Sequence, residues 1–339
     1  MYSKKESGQI LIIVAGALVA LMVFAALAID LGGAYDAKRQ AQNAADAGAM
    51  AAARQIILEC NKGAGADENA IRSNALQMVA ANAPDSNAQV YYINSEGNRL
   101  FANEVGSVGY VSCECGANRA EGVEIIVDGS TDSFIAGVIG EEALGVRSTA
   151  KAKYQTVSTP SGGIGLYPVT RRVGVPIVTG EAVEIRNVQG GEDIPGNFGW
   201  LTWNGSTAAG VLEQSMTPPG NSYNYTNPYD PNDHEINIGD WVEGTTGNMA
   251  NLKKTLDIEW VNTGEIMIFP LYDAFEGTGS NGNWRVAGFA AVEITGYDLG
   301  GSDKHIDARF VDAVIPGNWA EATCTEETGL YSVKLIPSN

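Results

Sequence analysis

The sequence is poor in the residues that catalytic and nucleic-acid-binding sites use most. Histidine occurs only twice, as His234 and His305, which leaves little for general acid–base or zinc chemistry. Basic residues are scarce as well, with 21 lysines and arginines against 40 acidic residues and a formal net charge of −19. Because such an acidic surface repels phosphate backbones, we expect no nucleic-acid partner.

Common catalytic motifs are missing too. The chain has no H-E-x-x-H, no G-x-S-x-G, no phosphate-binding P-loop and no dinucleotide fingerprint. His234 and His305 both lie in polar stretches that are typical of surface loops. The sequence therefore predicts a protein that is not an enzyme. A cleft with two carboxylates, the arrangement of glycosidases, stays open as an alternative in so acidic a chain.

One long apolar run is present near the N-terminus. Residues 10–29 carry no charge, and as a helix these 20 residues would span about 30 Å, the thickness of a bilayer core. Lys4 and Lys5 precede the run and Asp30 follows it. The positive-inside rule then predicts a cytoplasmic leader over residues 1–9, a single transmembrane helix over 10–29 and an extracytoplasmic or cell-surface remainder.

Two kinds of cleavage compete with an uncleaved anchor. Residues 26–28 (Ala-Leu-Ala) supply a signal-peptidase site, although the run exceeds the usual apolar core of about 7–15 residues. Gly8 stands between the basic leader and the apolar run, where a prepilin peptidase would cut. Ile13 occupies the position five residues further on at which such substrates carry glutamate. The sequence favours the anchor.

An alanine-rich stretch follows the apolar run and predicts a helix up to about residue 60. Five alanines recur there at four-residue spacing, which places them on one helix face. Such a smooth face lets another element approach closely. It either packs against its own domain or docks a neighbouring subunit. The five are Ala37, Ala41, Ala45, Ala49 and Ala53.

The remaining pattern predicts an α+β protein. A transmembrane helix continues into an α/β domain over residues 30–155, and a β-rich sandwich or barrel follows over 156–339. The boundary is a Ser-, Thr-, Pro- and Gly-rich stretch at 156–163, which is typical of a linker. The first domain has a second candidate helix at 67–83, a short one at 133–139, and strands at 90–93, 108–113, 123–127 and 146–154. In the second we expect strands at 183–188, 199–203, 236–241, 266–272, 286–297 and 330–336.

Four cysteines agree with export from the cytoplasm. They are Cys60, Cys113, Cys115 and Cys324, and an even count outside the cytoplasm favours two disulfides. Cys113 and Cys115 are too close in sequence for an unstrained bond with each other. Each is therefore expected to pair with Cys60 or Cys324. A four-thiolate metal site is the alternative, although the spacing is not the usual C-x₂-C.

A polar segment in the C-terminal half offers two further candidate sites. Its oxygen-bearing side chains suit calcium, the one cofactor that the sequence suggests, although the pattern favours a hydrated acidic turn without an ion. The candidate ligands are Asp230, Asn232, Asp233 and Glu235. Neighbouring aromatic and amide side chains suggest a patch that binds sugar or another surface, or loop residues that pack over a sheet edge. These are Tyr223, Tyr225, Tyr229, Asn221, Asn224 and Asn227.

Several N-terminal motifs together resemble a known family. Ser7-Gly8, the apolar span, Ala-Ile-Asp-Leu-Gly-Gly at 28–33 and Asn-Ala-Ala-Asp-Ala-Gly-Ala at 43–49 are similar to the start of TadE/TadG-like proteins of tight-adherence (Tad or Flp) pili. The strand, short helix and strand predicted at 123–153 extend the resemblance to about 150 residues. Residues 238–244 resemble β-rich tails that some of these proteins carry.

The resemblance implies a membrane-anchored minor pilin or pilus-assembly component. Its expected partners are the membrane, through one helix, and other pilus subunits, assembly proteins or copies of itself. An adhesin or ligand-binding module displayed on a Tad-like stalk is the alternative. TadG proteins often carry a D-x-S-x-S metal-binding adhesion motif, but here Asp132 stands where the second serine belongs. We therefore expect no adhesion site at residues 128–132.

Overall fold

The computed structural model describes most of the chain, as two compact units. The first unit contains the described residues up to Lys153 together with those from Lys334 onward, and the second runs from Tyr154 to Val333. The sequence predicted a second domain over 156–339, whereas the residues from Lys334 onward belong to the first unit. The described ranges are 9–60, 66–108, 119–133, 143–160, 165–173, 179–186, 199–206, 208–245, 252–261, 263–277, 282–300, 305–320 and 329–338.

A single helix dominates the first unit. Helix α1 (Gln9–Cys60) continues without a break for 52 residues, from the apolar run into the alanine-rich stretch. Alanine and leucine are strong helix formers and no proline interrupts the segment, so the helix continues across Gly32 and Gly33. The predicted transmembrane and alanine-rich helices are therefore two parts of one element.

Helix α2 (Glu68–Asn82) packs beside α1 and has well-defined ends. The Asp67 side chain accepts hydrogen bonds from the backbone N–H groups of Asn69 and Ala70, which satisfies two donors of the first turn. Pro84 follows the C-cap residue, and its ring cannot continue the helix. The predicted helix at 67–83 is confirmed.

Three strands pair in antiparallel fashion among the described residues of the first unit. They are β1 (Asn87–Ile93), β2 (Gly122–Asp132) and the first part of β3 (Ala143–Pro160). Strand β2 lies between the others, with Asn87 opposite Asp128 on one side and Lys153 opposite Gly122 on the other. The strands predicted at 90–93, 123–127 and 146–154 are confirmed. The strand at 108–113 and the helix at 133–139 lie almost wholly outside the described residues.

The second unit is β-rich, as expected. Its main sheet has the strand order β4-β8-β9-β10-β5, with β7 pairing with β9 and β6 pairing with β7. Strands β8 and β9 form a long antiparallel hairpin at its centre. The strands of this sheet are β4 (Arg171–Arg172), β5 (Ala182–Arg186), β6 (Leu201–Thr202), β7 (Trp241–Gly244), β8 (Ile266–Glu276), β9 (Asn283–Asp298) and β10 (His305–Phe310). Three further strands lie outside it: β11 (Ala313–Val314) pairs with β13 (Leu330–Ile336), and β12 (Gly317–Trp319) pairs with the end of β3.

Both faces of this sheet are buried at its central hairpin. Phe269 of β8 points into one apolar cluster and its neighbour Ile268 into another, because successive strand residues face opposite ways. Short helical segments cover the first cluster: α3 (Ala209–Met216), α4 (Lys253–Thr255) and the π-turn Leu256–Trp260. The sequence pattern did not predict these helical turns.

Two local predictions fail in the second unit. The segment at 156–160 is not a linker but the end of β3, where Val157 and Thr159 are buried and pair with β12. The strand expected at 236–241 begins only at Trp241, because Asn237 and Asp240 form a turn first. The Asn237 N–H donates to Asp240 Oδ2 at 2.7 Å, and Gly239 has a φ of +101°.

Candidate membrane and assembly segment

The N-terminal part of α1 is fully apolar and packs against none of the other residues that the structure describes. Residues 11–24 are exposed throughout, and no part of the most apolar 18-residue window is buried. Within the described chain, α1 is the one helix long and apolar enough to cross a membrane. An apolar stripe on one face would indicate a core helix, whereas this segment is apolar all round.

Asp30 is the first buried residue of α1. This residue is buried, with 5% of its surface exposed, and its Oδ2 accepts a hydrogen bond from the Ser133 hydroxyl at 2.7 Å. Near the same end of β2, Thr131 Oγ1 lies 3.2 Å from where a Cβ on Gly33 would stand. The C-terminal end of β2 thus contacts α1 directly after the apolar run at residues 10–29.

About two turns after Asp30, α1 is attached to strand β3. The Ser148 hydroxyl donates to the Lys38 carbonyl at 3.2 Å, and Lys38 Nζ in turn donates to the Arg147 carbonyl. Gln42 Nε2 reaches the Thr149 carbonyl at 3.4 Å. These polar contacts fix the position of α1 along β3.

The alanine face lies inside the first unit. Ala41, Ala45, Ala49 and Ala53 are each at most 1% exposed, and Ala37 is half-buried. These four alanines are covered by the chain itself, so the alternative in which they dock a neighbouring subunit does not hold. The close approach depends on small residues along α1, since small side chains let elements meet at short distance.

Gly48 shows how tight this packing is. A Cβ at this position would lie 2.8 Å from Val79 Cγ2 of α2 and 3.0 Å from Ile125 Cδ1 of β2. A side chain larger than hydrogen would therefore push helix and sheet apart. The small residues of this helix hold the fold of the first unit together.

Residues 128–132, the segment compared with the adhesion motif, are paired strand residues. They lie within β2 and pair with β3 from Arg147 to Ala143. Arg147 Nε donates to Asp128 Oδ1 at 2.6 Å and Nη2 to Oδ2 at 3.0 Å. This hydrogen bonding holds the pKa of the Asp128 carboxyl below its usual value. The aspartate that would begin the motif is thus already bound to an arginine.

The candidate calcium ligands lie on one turn-rich loop before β7. Their carboxylates bind local backbone and amide groups: Asn232 N donates to Asp230 Oδ1 at 3.1 Å, and Glu235 N to Asp233 Oδ1 at 3.2 Å. Asn227 Nδ2 donates to Asp233 Oδ2, also at 3.1 Å. These bonds shape the loop, and calcium binding by it stays a prediction.

The proposed aromatic patch is only partly exposed. Tyr225 is 1% exposed and donates from its hydroxyl to the Trp241 carbonyl at 2.7 Å, and burial raises the pKa of this hydroxyl. Including it in a surface patch was wrong, as was including the buried Asn221 and Asn227. The exposed members are Tyr223, Asn224 and Tyr229.

Tyr229 contacts residues that are distant from it in the sequence. Its ring meets Trp241 edge to face at 5.8 Å, and its hydroxyl donates to Glu276 Oε2 at 3.0 Å. Asn283 Nδ2 donates to the same hydroxyl at 3.1 Å. An exposed ring held by an amide and a carboxylate is a surface that a polar partner can contact.

The two histidines lie in different settings. His234 is exposed on the loop, as expected, with Nδ1 3.0 Å from the Tyr225 carbonyl. His305 is not in a loop: it begins strand β10, where it is near Asp307 and Glu184. The sequence signal for this cluster was the spacing of His305 and Asp307, two residues apart and so on one face of a strand.

The predicted disulfides cannot be followed in the structure. Cys60 is the last residue of α1, whereas Cys113, Cys115 and Cys324 lie outside the described residues. Their pairing therefore stays a prediction.

The comparisons with known proteins bear on α1. Residues 8–55 match the sequence model of the Tad family, described as Flp pilus-assembly TadE/G-like. The match covers both the exposed apolar segment and most of the buried alanine-rich one. No curated protein and no solved structure matches the chain. The N-terminal segment of this chain is therefore TadE/G-like, which supports a role related to the Tad pilus.

Proposed function

We propose that the chain is a membrane-anchored, surface-exposed component of a Tad/Flp-type pilus, either a minor pilin or an assembly protein. The continuity of α1 carries the proposal. One helix has an exposed apolar part of bilayer length and a second part that forms the core of a folded unit. The family match spans the same two parts.

The proposed mechanism is assembly and binding rather than catalysis. The apolar part of α1 holds the subunit in the membrane, with both units on the extracytoplasmic side. Because the helix runs unbroken into the first unit, the anchor and that unit form one stiff element. The alanine face is occupied within the chain, so contacts with other pilus subunits use other surfaces.

The exposed tyrosines favour a second candidate, an adhesin or ligand-binding module carried on a Tad-like stalk. Tyr223 and Tyr229 are 79% and 59% exposed, and aromatic side chains of this kind are enriched at binding surfaces. In this case the filament would assemble without the chain, and only attachment would depend on it.

Deletion of the chain from its native host separates the two candidates. Filaments are counted by electron microscopy, and surface attachment is measured in parallel. Loss of filaments supports the pilus component. Intact filaments with lost attachment support the adhesin, and unchanged filaments and attachment overturn both. Expression of the full chain from a plasmid is the control, and it restores whichever property was lost.

A further inference from the structure

We propose that Glu184, His305 and Asp307 bind a divalent transition-metal ion, with zinc as the reference ion, on the solvent-facing side of the main sheet of the second unit. Each offers one ligand atom, and the three atoms all lie within 4.8 Å of one another. Within the described part of the chain, this is the one group of three such side chains with that geometry.

The backbone places these residues together. Strands β5 and β10 are antiparallel neighbours, and Glu184 lies directly opposite Asp307 in their register. His305 precedes Asp307 by two residues, so both point to the same face of β10. Directly opposed residues of an antiparallel pair have Cβ atoms about 4.5–5.5 Å apart, so all three side chains start from fixed, adjacent positions.

The ligand atoms are close to their spacing around a metal ion. His305 Nε2 is 3.8 Å from Asp307 Oδ1, longer than a hydrogen bond. Ligand atoms at about 2.0–2.1 Å from a tetrahedral zinc are about 3.4 Å from one another. Small side-chain rotations therefore bring the imidazole and the carboxylate into zinc geometry.

A glycine on the third strand leaves room for this arrangement. Gly296 of β9 is opposite Asp307, and a Cβ there would lie 2.9 Å from Asp307 Oδ2. The carboxylate thus occupies space that any other residue would fill. His305 and Asp307 are half-buried and Glu184 is exposed, so the site is open to solvent on one side.

The ligand set selects the class of ion. Calcium and magnesium take oxygen ligands, whereas imidazole suits zinc and its transition-metal neighbours. Two carboxylates balance the charge of a divalent ion, and three protein ligands leave a fourth position for water. The ion would bridge β5 and β10, and β5 lies at one end of the sheet order. Binding would therefore stabilise the second unit.

The test is zinc binding by the full chain, purified in detergent without a histidine tag and stripped with a chelator. Calorimetric titration with zinc chloride is expected to show one site per chain. His305→Gln and Glu184→Gln are each expected to weaken binding at least about 10-fold, since changes behind the ligands already cost that much. His234→Gln is the matched control, because His234 is the other histidine of the chain. The zinc affinity of this variant is expected to equal that of the parent.

Thermal unfolding distinguishes loss of zinc binding from misfolding of a variant, because the Tm of each protein is compared with and without zinc. Zinc raises the Tm of the parent and of His234→Gln, and leaves the Tm of His305→Gln unchanged. X-ray absorption of the parent shows nitrogen and oxygen ligands with imidazole scattering. Absent zinc binding, equal affinity of parent and His305→Gln, or sulfur ligands from the cysteines would each overturn the proposal.

Discussion

Two arginines in the middle of the apolar segment should release the chain from the membrane. The perturbation is Val19→Arg with Val23→Arg, at positions one turn apart that are 56% and 53% exposed and contact no other part of the fold. Because nothing in the folded units depends on these side chains, the variant should fold normally outside the membrane.

The magnitude follows from the composition of the segment. Leucine, isoleucine, valine and phenylalanine account for 12 of residues 10–29. Each favours insertion by about 0.3–0.6 kcal/mol, so the segment gains at most about 4–7 kcal/mol. Each arginine near the centre costs about 2.5–3.5 kcal/mol and also removes a valine, so the pair costs about 6–8 kcal/mol. The double change cancels the whole gain.

The assay is extraction of cell membranes with alkaline carbonate, followed by an immunoblot against the second unit. We expect the parent to resist extraction and the double variant to be lost from the pellet. Tyr35→Arg with Asn43→Arg is the matched control, since it adds the same charge to exposed positions on the same helix beyond the apolar segment. A double variant that stays in the pellet would refute the anchor, as would a parent that is extracted.

Four further substitutions test the packing and the electrostatics. Gly48→Ala should lower the free energy of unfolding of the first unit by about 1–3 kcal/mol through overpacking, whereas Gly32→Ala, with nothing within 4 Å, should raise it by about 0.5–1 kcal/mol, as read from denaturant titrations. Trp260→Phe removes the 2.6 Å bond from its indole N–H to the Met216 carbonyl and should cost the second unit about 1–3 kcal/mol in the same titration; an unchanged midpoint would contradict the buried bond. Hydrogen bonding from Arg147 lowers the pKa of Asp128, so this pair stabilises the fold above the ordinary aspartate pKa, and the gain is lost as the pH falls through the lowered value. Asp128→Asn should therefore lower the Tm at pH 7, and this difference should disappear as the pH falls below the lowered pKa of Asp128; equal Tm values at pH 7 would contradict this.

Composition and periodicity were enough for the local elements. The apolar run and the alanines predicted α1, and the spacing of apolar residues over 67–83 predicted α2. Strands β8 and β9 were predicted because apolar β-formers dominate them. In each case the signal lies within the segment itself.

The failures arise where distant residues decide the structure. The Ser-, Thr- and Pro-containing end of β3 resembles a linker, and only its pairing with β12, far along the chain, makes it a strand. Tyr225 lies among polar residues, yet its ring is buried in an apolar cluster of the second unit. Glu184 and His305 are brought together by strand register, which local patterns do not reveal.

Fractionation of sheared cells tests the central claim most directly. Sheared filaments, membranes and supernatant are each analysed by mass spectrometry for this chain, including its N-terminal peptides. The account predicts an intact chain in the membrane fraction, with the apolar segment retained. Recovery of an intact chain in the sheared filaments would assign it to the minor pilins. A chain that is free in the supernatant and begins near Ile29 would contradict the account.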